Sequence, residues 1–456
     1  MIDRRPRGDD RSERHARVLL SRTLQRAWWM WVVACLSCRR NIGEILACHR
    51  REGTEKWCSR GERPMFQRKF QLACVLALVG AVGIGSFPVH ADDGDDDGDA
   101  GPVKTVFVIA MENHNWTQPS TQTSPQQIFQ NPATPFINSL VNGTSGISKQ
   151  VAFANAYINS AVGVHPSEPN YIWAEAGTNF GVTNDDDPYK PNCAAPDTVQ
   201  TTNQHLSAFL TVGRKSWKSY QEDVNVDATN TPLPASAWAV PLFSHAGTYT
   251  LPATNAYNYS NQFNYAAKHN PMLYFTDTNG GCNTTTSNPL RLNYPPLQQL
   301  ALDLANDTVA DYNWITPNQF NDQHTTLANG YGIYPNSGNT ADPARLAQGD
   351  NFLARIVPLI MSSKAYQDHG LIVLWWDESE GGDDPSRPLP FIVISKSVHK
   401  NVNGVPYSNT IQYSHSSFLR TMQEIFDVDP RHHFTWLGGA ANATDLADLF
   451  SDGVIR

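Results

Sequence analysis

Short apolar runs recur along this chain, and several of them stop abruptly on charged groups. The clearest is Leu371–Glu378, LIVLWWDE, in which six apolar residues after Gly370 meet two adjacent carboxylates and then the acidic, glycine-bearing stretch Ser379–Asp384. A run that is apolar at every position, not at alternate ones, predicts a strand covered on both faces, as in the middle of a parallel sheet. Val103–Met111 (VKTVFVIAM) has the same form and ends on Glu112, Asn113 and His114. Asp311–Thr316 predicts a shorter strand leading to Asp322 and His324, and Leu389–Ser395 a further apolar one. Ser216–Asp223 is another ordered piece, and Tyr265–Asp277 places Lys268, His269, Asn270 and Pro271 just before a strand.

Helical patterns fall between these runs. Thr134–Val141 has Pro135 in its first turn, a favoured start. Gly349–Ser363 carries Phe352, Leu353, Ile356, Leu359 and Ile360 at helical spacing, with Pro358 predicting a kink. Tyr413, Ser414 and His415 open a helix over Ser416–Phe426, and Val164–Tyr171 leads into another. Within that second entrance, Ser167 lies between Pro166 and Pro169, so its backbone is restricted and its hydroxyl predicted to be exposed. A helix start favours an anion there, although a plain N-cap serine fits equally well. Strands alternating with helices predict an α/β sandwich, and no internal repeat interrupts the pattern.

With 456 residues, 40% hydrophobic and 10% aromatic, the chain can bury a sizeable core, and one large domain accommodates that length. The net charge of -9 is uneven: Met1–Ala91 carries 17 Lys and Arg against 8 Asp and Glu, leaving 17 against 35 in the rest. So acidic a body repels nucleic acid, which excludes that partner as a main role.

Residues 1–64 are Arg-rich, cluster Trp28, Trp29 and Trp31, and have no sustained periodicity, so they read as an extension outside the fold. From Met65 a basic start (MFQRKF), an apolar stretch (LACVLALVGAVGIG) and Val89-His90-Ala91 form the layout of a secretory signal peptide over 65–91. An acidic linker, 92–102, precedes a single domain over 103–456, with polar insertions at about 184–288. The prediction is an exported protein, periplasmic or extracellular, without a transmembrane segment. Of seven cysteines only Cys193 and Cys282 follow the signal peptide, and an even pair in an exported chain predicts one disulfide. The irregular set Cys35, Cys38, Cys48, His49 and Cys58 is a weak zinc pattern in the extension.

Side by side, the strand-end and helix-start residues are Glu112 with Asn113, Ser167, Asp322 with His324, Asp377 with Glu378, and His415. Carboxylates and histidines around one hydroxyl suit a hard or borderline divalent metal site. Metal and hydroxyl together suit phosphoryl transfer to a serine. Each part has an ordinary reading: Asp377-Glu378 as a solvated turn, His415 as a cap or a packed histidine.

The ordered set Glu112-Asn113-His114, His165-Pro-Ser167-x-Pro-Asn170-Tyr171, Lys268-His269-Asn270-Pro271, Pro317-Asn318 to Asp322-x-His324, Trp376-Asp377-Glu378 with Gly381-Gly382, and Tyr413 to Ser417 resembles the bacterial phosphoesterase family. That family includes acid phosphatases and phosphatidylcholine-type phospholipases C within the alkaline phosphatase superfamily, and the resemblance spans nearly all of Val103–Phe426. It implies a three-layer α/β/α sandwich with a central, largely parallel sheet. It implies too that Ser167 is a nucleophile forming a phosphoseryl intermediate, with Glu112, Asn113, Asp377 and Glu378 around a divalent metal ion. Asp322, His324 and His415 would hold a second ion, so one or two are implied. His165 and His269 would stabilise charge or protonate the leaving group, and Asn113 and Asn170 would meet the phosphate ester substrate.

The chain lacks the x-Pro-x-Arg that follows the nucleophile in sulfatases. It also has Asn113-His114-Asn115-Trp116 where phospholipase members carry an Asn-Arg-Ser-Phe-type run, which favours the phosphatase branch over a phospholipase C-type phosphodiesterase. Two other classes compete: a glycosidase using Glu112 with Asp377 or Glu378, and a non-catalytic secreted binding protein built on the aromatic, Asn/Thr-rich insertions.

Overall fold

Eight strands form one mixed sheet, and the apolar runs supply its middle. They are β1 (Thr105–Met111), β2 (Val151–Ile158), β3 (Trp217–Gln221), then β6 (Tyr312–Thr316), β7 (Gly370–Trp376), β8 (Leu389–Ile394), β9 (Tyr407–Asn409) and β10 (Tyr413–Ser414). Between β3 and β6, β4 (His245–Thr248) and β5 (Gln262–Tyr265) make a separate antiparallel hairpin. The computed structural model describes residues 101–338, 341–401 and 404–455. The extension, the signal peptide, its zinc pattern and the linker up to Ala100 lie outside the described residues.

The order in the sheet is β10-β2-β8-β7-β1-β6-β3, with β9 paired to β2. β7 is buried at all seven positions, as a strand with neighbours on both sides and helices on both faces must be. It runs parallel to β1, which runs parallel to β6, and β6 to β3. β8 alone is reversed, antiparallel to both β7 and β2. The carboxyl ends of β1, β2, β3, β6 and β7 therefore share one edge, where ligands of such sheets gather.

The main helices are α1 (Pro135–Val141), α2 (Ser167–Ala176), α3 (Leu206–Val212), α4 (Gln299–Asn306), α5 (Asp342–Met361) and α6 (His415–Ile425). α1 packs with α5, whereas α2, α3 and α6 pack together, so the helices flank the sheet as a three-layer arrangement requires. α5 starts seven residues before the expected Gly349, because Asp342 and Pro343 supply an acidic first turn and a preset φ upstream of the apolar periodicity. Pro358 falls in its last turn and the helix runs on to Met361.

The strand expected after Pro271 is instead two 3-10 turns, Ala267–His269 and Pro271–Tyr274. Met272, Leu273, Tyr274 and Phe275 are fully buried, and a short buried run reads alike in either form. Cys193 and Cys282 form the expected disulfide, which ties two of the polar insertions together.

One buried polar cross-link anchors α2 at its far end. Glu175 accepts from Ser207 N (3.0 Å) and Ser207 Oγ (3.1 Å), and His205 lies between Glu175 (3.2 Å) and Asp277 (2.9 Å). His205 is fully buried, and its two carboxylate partners more than offset the burial, so its pKa is raised above 6.5. A raised histidine stabilises the fold fully below its unfolded pKa and loses that contribution as pH rises through the folded value. His205→Gln is therefore expected to cost about 3 kcal/mol at pH 6. The gap to the unsubstituted protein should narrow in urea melts at pH 9; a gap that grows with pH would contradict this account.

Candidate active site

The shared edge brings one serine into contact with two carboxylates from different strands. Ser167 is the first residue of α2, and its Oγ donates to Glu112 Oε2 (3.1 Å) and toward Glu378 Oε1 (3.4 Å). The N-cap position belongs to Pro166, with no side-chain cap bond, so Ser167 is not the plain cap that the sequence also allowed. Asn170 holds this serine's loop: its Oδ1 accepts from Ser160 Oγ (2.7 Å) and its Nδ2 donates to Val164 O (3.0 Å). Those bonds, with a longer one to Pro166 O, occupy its amide. The structure thus ties Asn170 to the loop that leads into the nucleophile.

Glu112 follows β1 and is completely buried. Its Oε1 accepts from Tyr171 OH (2.5 Å) and lies 3.1 Å from His269 Nε2, while the His269 ring stacks on Tyr171. His269 Nδ1 lies 3.2 Å from Asp322 Oδ2, so one imidazole is inserted between two carboxylates. Asp377, directly after β7, is held through Oδ1 by Asn113 N (3.2 Å). Asn113 adopts φ +36°, a left-handed conformation that asparagine tolerates better than most residues, and its Nδ2 reaches Glu378 (3.3 Å) and Glu380 (3.1 Å).

Burial first, then mutual repulsion, raises the pKa values of Glu112 and Asp377 well above the carboxylate range, and Asp322 is raised chiefly by burial. Lys268, ion-paired with Asp185 at 2.8 Å, is the cation that partly offsets all three.

His165 stands at the mouth of this cluster, 39% exposed. Its Nδ1 is 2.5 Å from Glu378 Oε2 and its Nε2 is 2.9 Å from Asp383 Oδ1, and the hydrogen bond to Glu378 above all raises its pKa to about 9. Asp383 also accepts from Gly163 N (2.7 Å) and Ser379 Oγ (2.9 Å), pinning the serine's loop to the acidic loop after β7.

Burial lowers the pKa of His415, His324 and His269. His415 Nδ1 accepts from Trp375 Nε1 (3.0 Å), which leaves Nε2 to donate to the Asp377 main-chain carbonyl (2.5 Å). With both nitrogens occupied and its pKa lowered to about 3 by burial, His415 supports Asp377 from behind and has no lone pair for a metal. His324 is lowered by burial to about 4 and lies beside His269, ring centroids 6.0 Å apart, with its main-chain N–H on Asp322 Oδ1 (2.8 Å). Asp322 and His324 thus lie beside His269, whereas His415 is committed to Trp375 and the Asp377 carbonyl, and the three are not arranged to hold an ion.

Several site groups had no sequence signal beyond their place in a motif. Tyr171, Lys268 and Asp383 act here, and only contacts across the fold reveal them.

In chemical type the donors, carboxylate and amide oxygens with one imidazole, are those that a divalent cation takes. Asn113 Oδ1 and Asp377 Oδ2 are buried and, among the described residues, without a hydrogen-bond partner, whereas Asp322 Oδ2 and His269 Nε2 make only the 3.2 Å and 3.1 Å contacts along the Asp322–His269–Glu112 row. Buried polar atoms are nearly always satisfied, so two unpartnered oxygens within one acidic cluster suit a cation as their partner. As the side chains stand, no three His, Cys, Asp or Glu among the described residues are arranged to hold a metal ion, so binding one requires them to shift.

Sheet edge, buried serine and surrounding carboxylates together define an α/β enzyme of the hydrolytic kind. The chain belongs to the Phosphoesterase family, whose family model matches residues 98–429, and is accordingly a hydrolase acting on phosphoester bonds. It is 26% identical over 352 residues to the phosphatidylinositol-3-phosphatase of Mycobacterium tuberculosis, covering 76% of this chain and 83% of that protein. The phosphate-repressible acid phosphatase of Penicillium chrysogenum is 23% identical over 57% of this chain and 48% of its own length. A Vibrio parahaemolyticus protein in the alkaline phosphatase superfamily aligns over 72% of this chain and 67% of its own, at 10% identity and a TM-score of 0.38.

Proposed function

We propose that the protein is an exported, metal-dependent phosphoric ester hydrolase of acid-phosphatase type that works through a phosphoseryl intermediate on Ser167. The observation that carries this reading is the Ser167 hydroxyl already donating to Glu112 inside a carboxylate cluster in which Asn113 Oδ1 and Asp377 Oδ2 are buried without a hydrogen-bond partner among the described residues. Such a cluster repels a phosphate ester unless a cation offsets it. Glu112, Asn113, Asp377 and Glu378 would hold one divalent ion, which would balance their charge, acidify the serine hydroxyl and stabilise charge on the phosphoryl oxygens. The occupied nitrogens of His415 favour one ion over two.

This chain's own residues do the rest. Ser167 Oγ attacks phosphorus as its proton passes to the carboxylate that it already touches. The ester oxygen leaves with a proton from His165, which its raised pKa keeps protonated in neutral and mildly acidic solution. Water then attacks the phosphoserine, giving a proton back to His165, and Ser167 recovers its own as phosphate departs. Export is supported by the Cys193–Cys282 disulfide, since such bonds persist in oxidising compartments. Among the described residues no helix is long and apolar enough to cross a membrane.

The test is hydrolysis of p-nitrophenyl phosphate, bis(p-nitrophenyl) phosphate and p-nitrophenylphosphorylcholine, with and without EDTA. The monoester should be cleaved fastest, EDTA should abolish turnover, and one divalent metal should restore it. Activity on a glycoside with none on any phosphoester would overturn the reading, and full activity in EDTA would remove its metal.

A further inference from the structure

Next to the nucleophile lies a carboxylate for which the chemistry above has no use. Glu168 is fully buried, and among the described residues neither of its oxygens has a hydrogen-bond partner. Its neighbours offer mostly lone pairs. Thr198 Oγ1 lies within reach of Glu168 and also of the carbonyls of Asp186 (3.4 Å) and Asp187 (3.5 Å), so its single hydrogen is shared among more acceptors than it can satisfy. Tyr274 OH donates to the Asp186 carbonyl (3.2 Å), so that hydroxyl points its proton away from Glu168.

Charge argues the same way. Burial pushes the Glu168 pKa up to about 9, the nearby Thr198 hydroxyl pulls in the other direction, and Asp185, Asp186 and Asp197 add to the rise. Those four carboxylates face two lysines: Lys268 on Asp185, and Lys190 on Asp197 and Asp186. With Glu168 protonated near neutral pH one negative charge remains uncompensated, and two remain once Glu168 is ionised. Asp185 and Asp186 are exposed, so the turn that carries them opens to solvent.

We propose that Glu168, the main-chain carbonyls of Asp186 and Asp187, and the Thr198 hydroxyl form a second cation site, distinct in its donors from the catalytic cluster, that takes a calcium-class ion. Oxygen donors of mixed charge, with carbonyls from a turn and one carboxylate from a helix start, match the preference of Ca²⁺ for flexible all-oxygen coordination; Mg²⁺ demands a stricter octahedron. Glu168 N donates to Asp185 Oδ1 (3.1 Å), so the ion fastens the first turn of the nucleophile's helix to the same turn that supplies the carbonyls. Its role is to fix where α2 begins, and with it Ser167.

The experiment compares the full chain with Glu168→Gln and, to silence the catalytic cluster, with Asp377→Asn, each stripped by chelator and held at constant ionic strength. Ca²⁺ at 100 times its Kd should raise the Tm of Asp377→Asn by about 4 °C and that of the unsubstituted protein by at least as much. Glu168→Gln should lose about 4 °C of the shift shown by the unsubstituted protein, and Mg²⁺ should give no such difference between the two. Equilibrium dialysis with ⁴⁵Ca should find one fewer bound ion in Glu168→Gln. An unchanged Ca²⁺ shift and ion count in Glu168→Gln overturns the site, as does a shift that disappears only in Asp377→Asn, which would assign Ca²⁺ to the catalytic carboxylates. Should Glu168→Gln fail to fold, Thr198→Val decides: the site requires a Ca²⁺ affinity at least about tenfold weaker, and unaltered affinity refutes it.

Discussion

Ser167→Ala is expected to lower kcat at least about 10³-fold, on the scale seen when other enzymes lose a catalytic nucleophile. The substitution deletes one oxygen from a residue that is 1% exposed and leaves no charge stranded, so the fold should persist and the Tm should barely move. That separation of activity from stability is what identifies a nucleophile. A factor of 10³ corresponds to about 4 kcal/mol of transition-state stabilisation. One lost hydrogen bond to Glu112 accounts for only about 1 kcal/mol, so the remainder has to come from the covalent step. Rapid quench of the unsubstituted enzyme with labelled substrate should trap phosphate on Ser167, and the alanine variant should trap none. Near-normal turnover in Ser167→Ala would mean that water attacks phosphorus directly and that Ser167 serves only to orient Glu112.

What could be read along the chain was whatever local pattern encodes. The apolar runs now at β1, β6, β7 and β8 are strands because a buried strand leaves no alternation to misread. Ser167 and His415 stand at helix starts, as the residues around them predict. The direction of β8 is not local. Leu389–Ile394 reads the same whichever way it pairs, and its antiparallel pairing with β7 and β2 is visible only in the sheet.

The roles of the histidines escaped for a related reason. A histidine after a strand is a ligand, a proton donor or a prop according to what faces its two nitrogens, and for His415 those partners are Trp375 on β7 and the Asp377 carbonyl. Asn170 likewise sits in a motif with the nucleophile, yet its amide is committed to the loop before it. Tyr171 and Lys268 were visible as motif members, but the stacking of one on His269 and the reach of the other toward three carboxylates exist only across the fold. Asp383 had only the acidity of its loop to mark it. Its contacts to Gly163 and His165 join segments 220 and 218 residues apart, beyond the range of any local pattern.

Asp377→Asn separates the two chemistries that adjacent carboxylates at a strand end can perform. Asparagine keeps the size of the side chain and an oxygen to accept from Asn113 N, and the His415 bond to the main-chain carbonyl is untouched, so the loop geometry should survive. What is lost is one negative charge and the full donor strength of Oδ2, the buried atom with no hydrogen-bond partner among the described residues. If Asp377 is a metal ligand, metal content of the purified variant should fall together with kcat, by at least about 100-fold in the latter, since even outer-shell partners of metal sites cost 10- to 100-fold. Excess divalent metal should recover part of the rate. If Asp377 were a general acid, the variant would keep its metal and lose rate, and added metal would do nothing. The thermal response distinguishes the cases again. With Asp377 raised by burial and by Glu378, removing its charge relieves repulsion in the metal-free protein, so Asp377→Asn should be more stable than the unsubstituted chain in EDTA and less stable in saturating metal. A proton donor gives no reason for that crossing of the two stability curves, because its worth does not depend on a cation beside it.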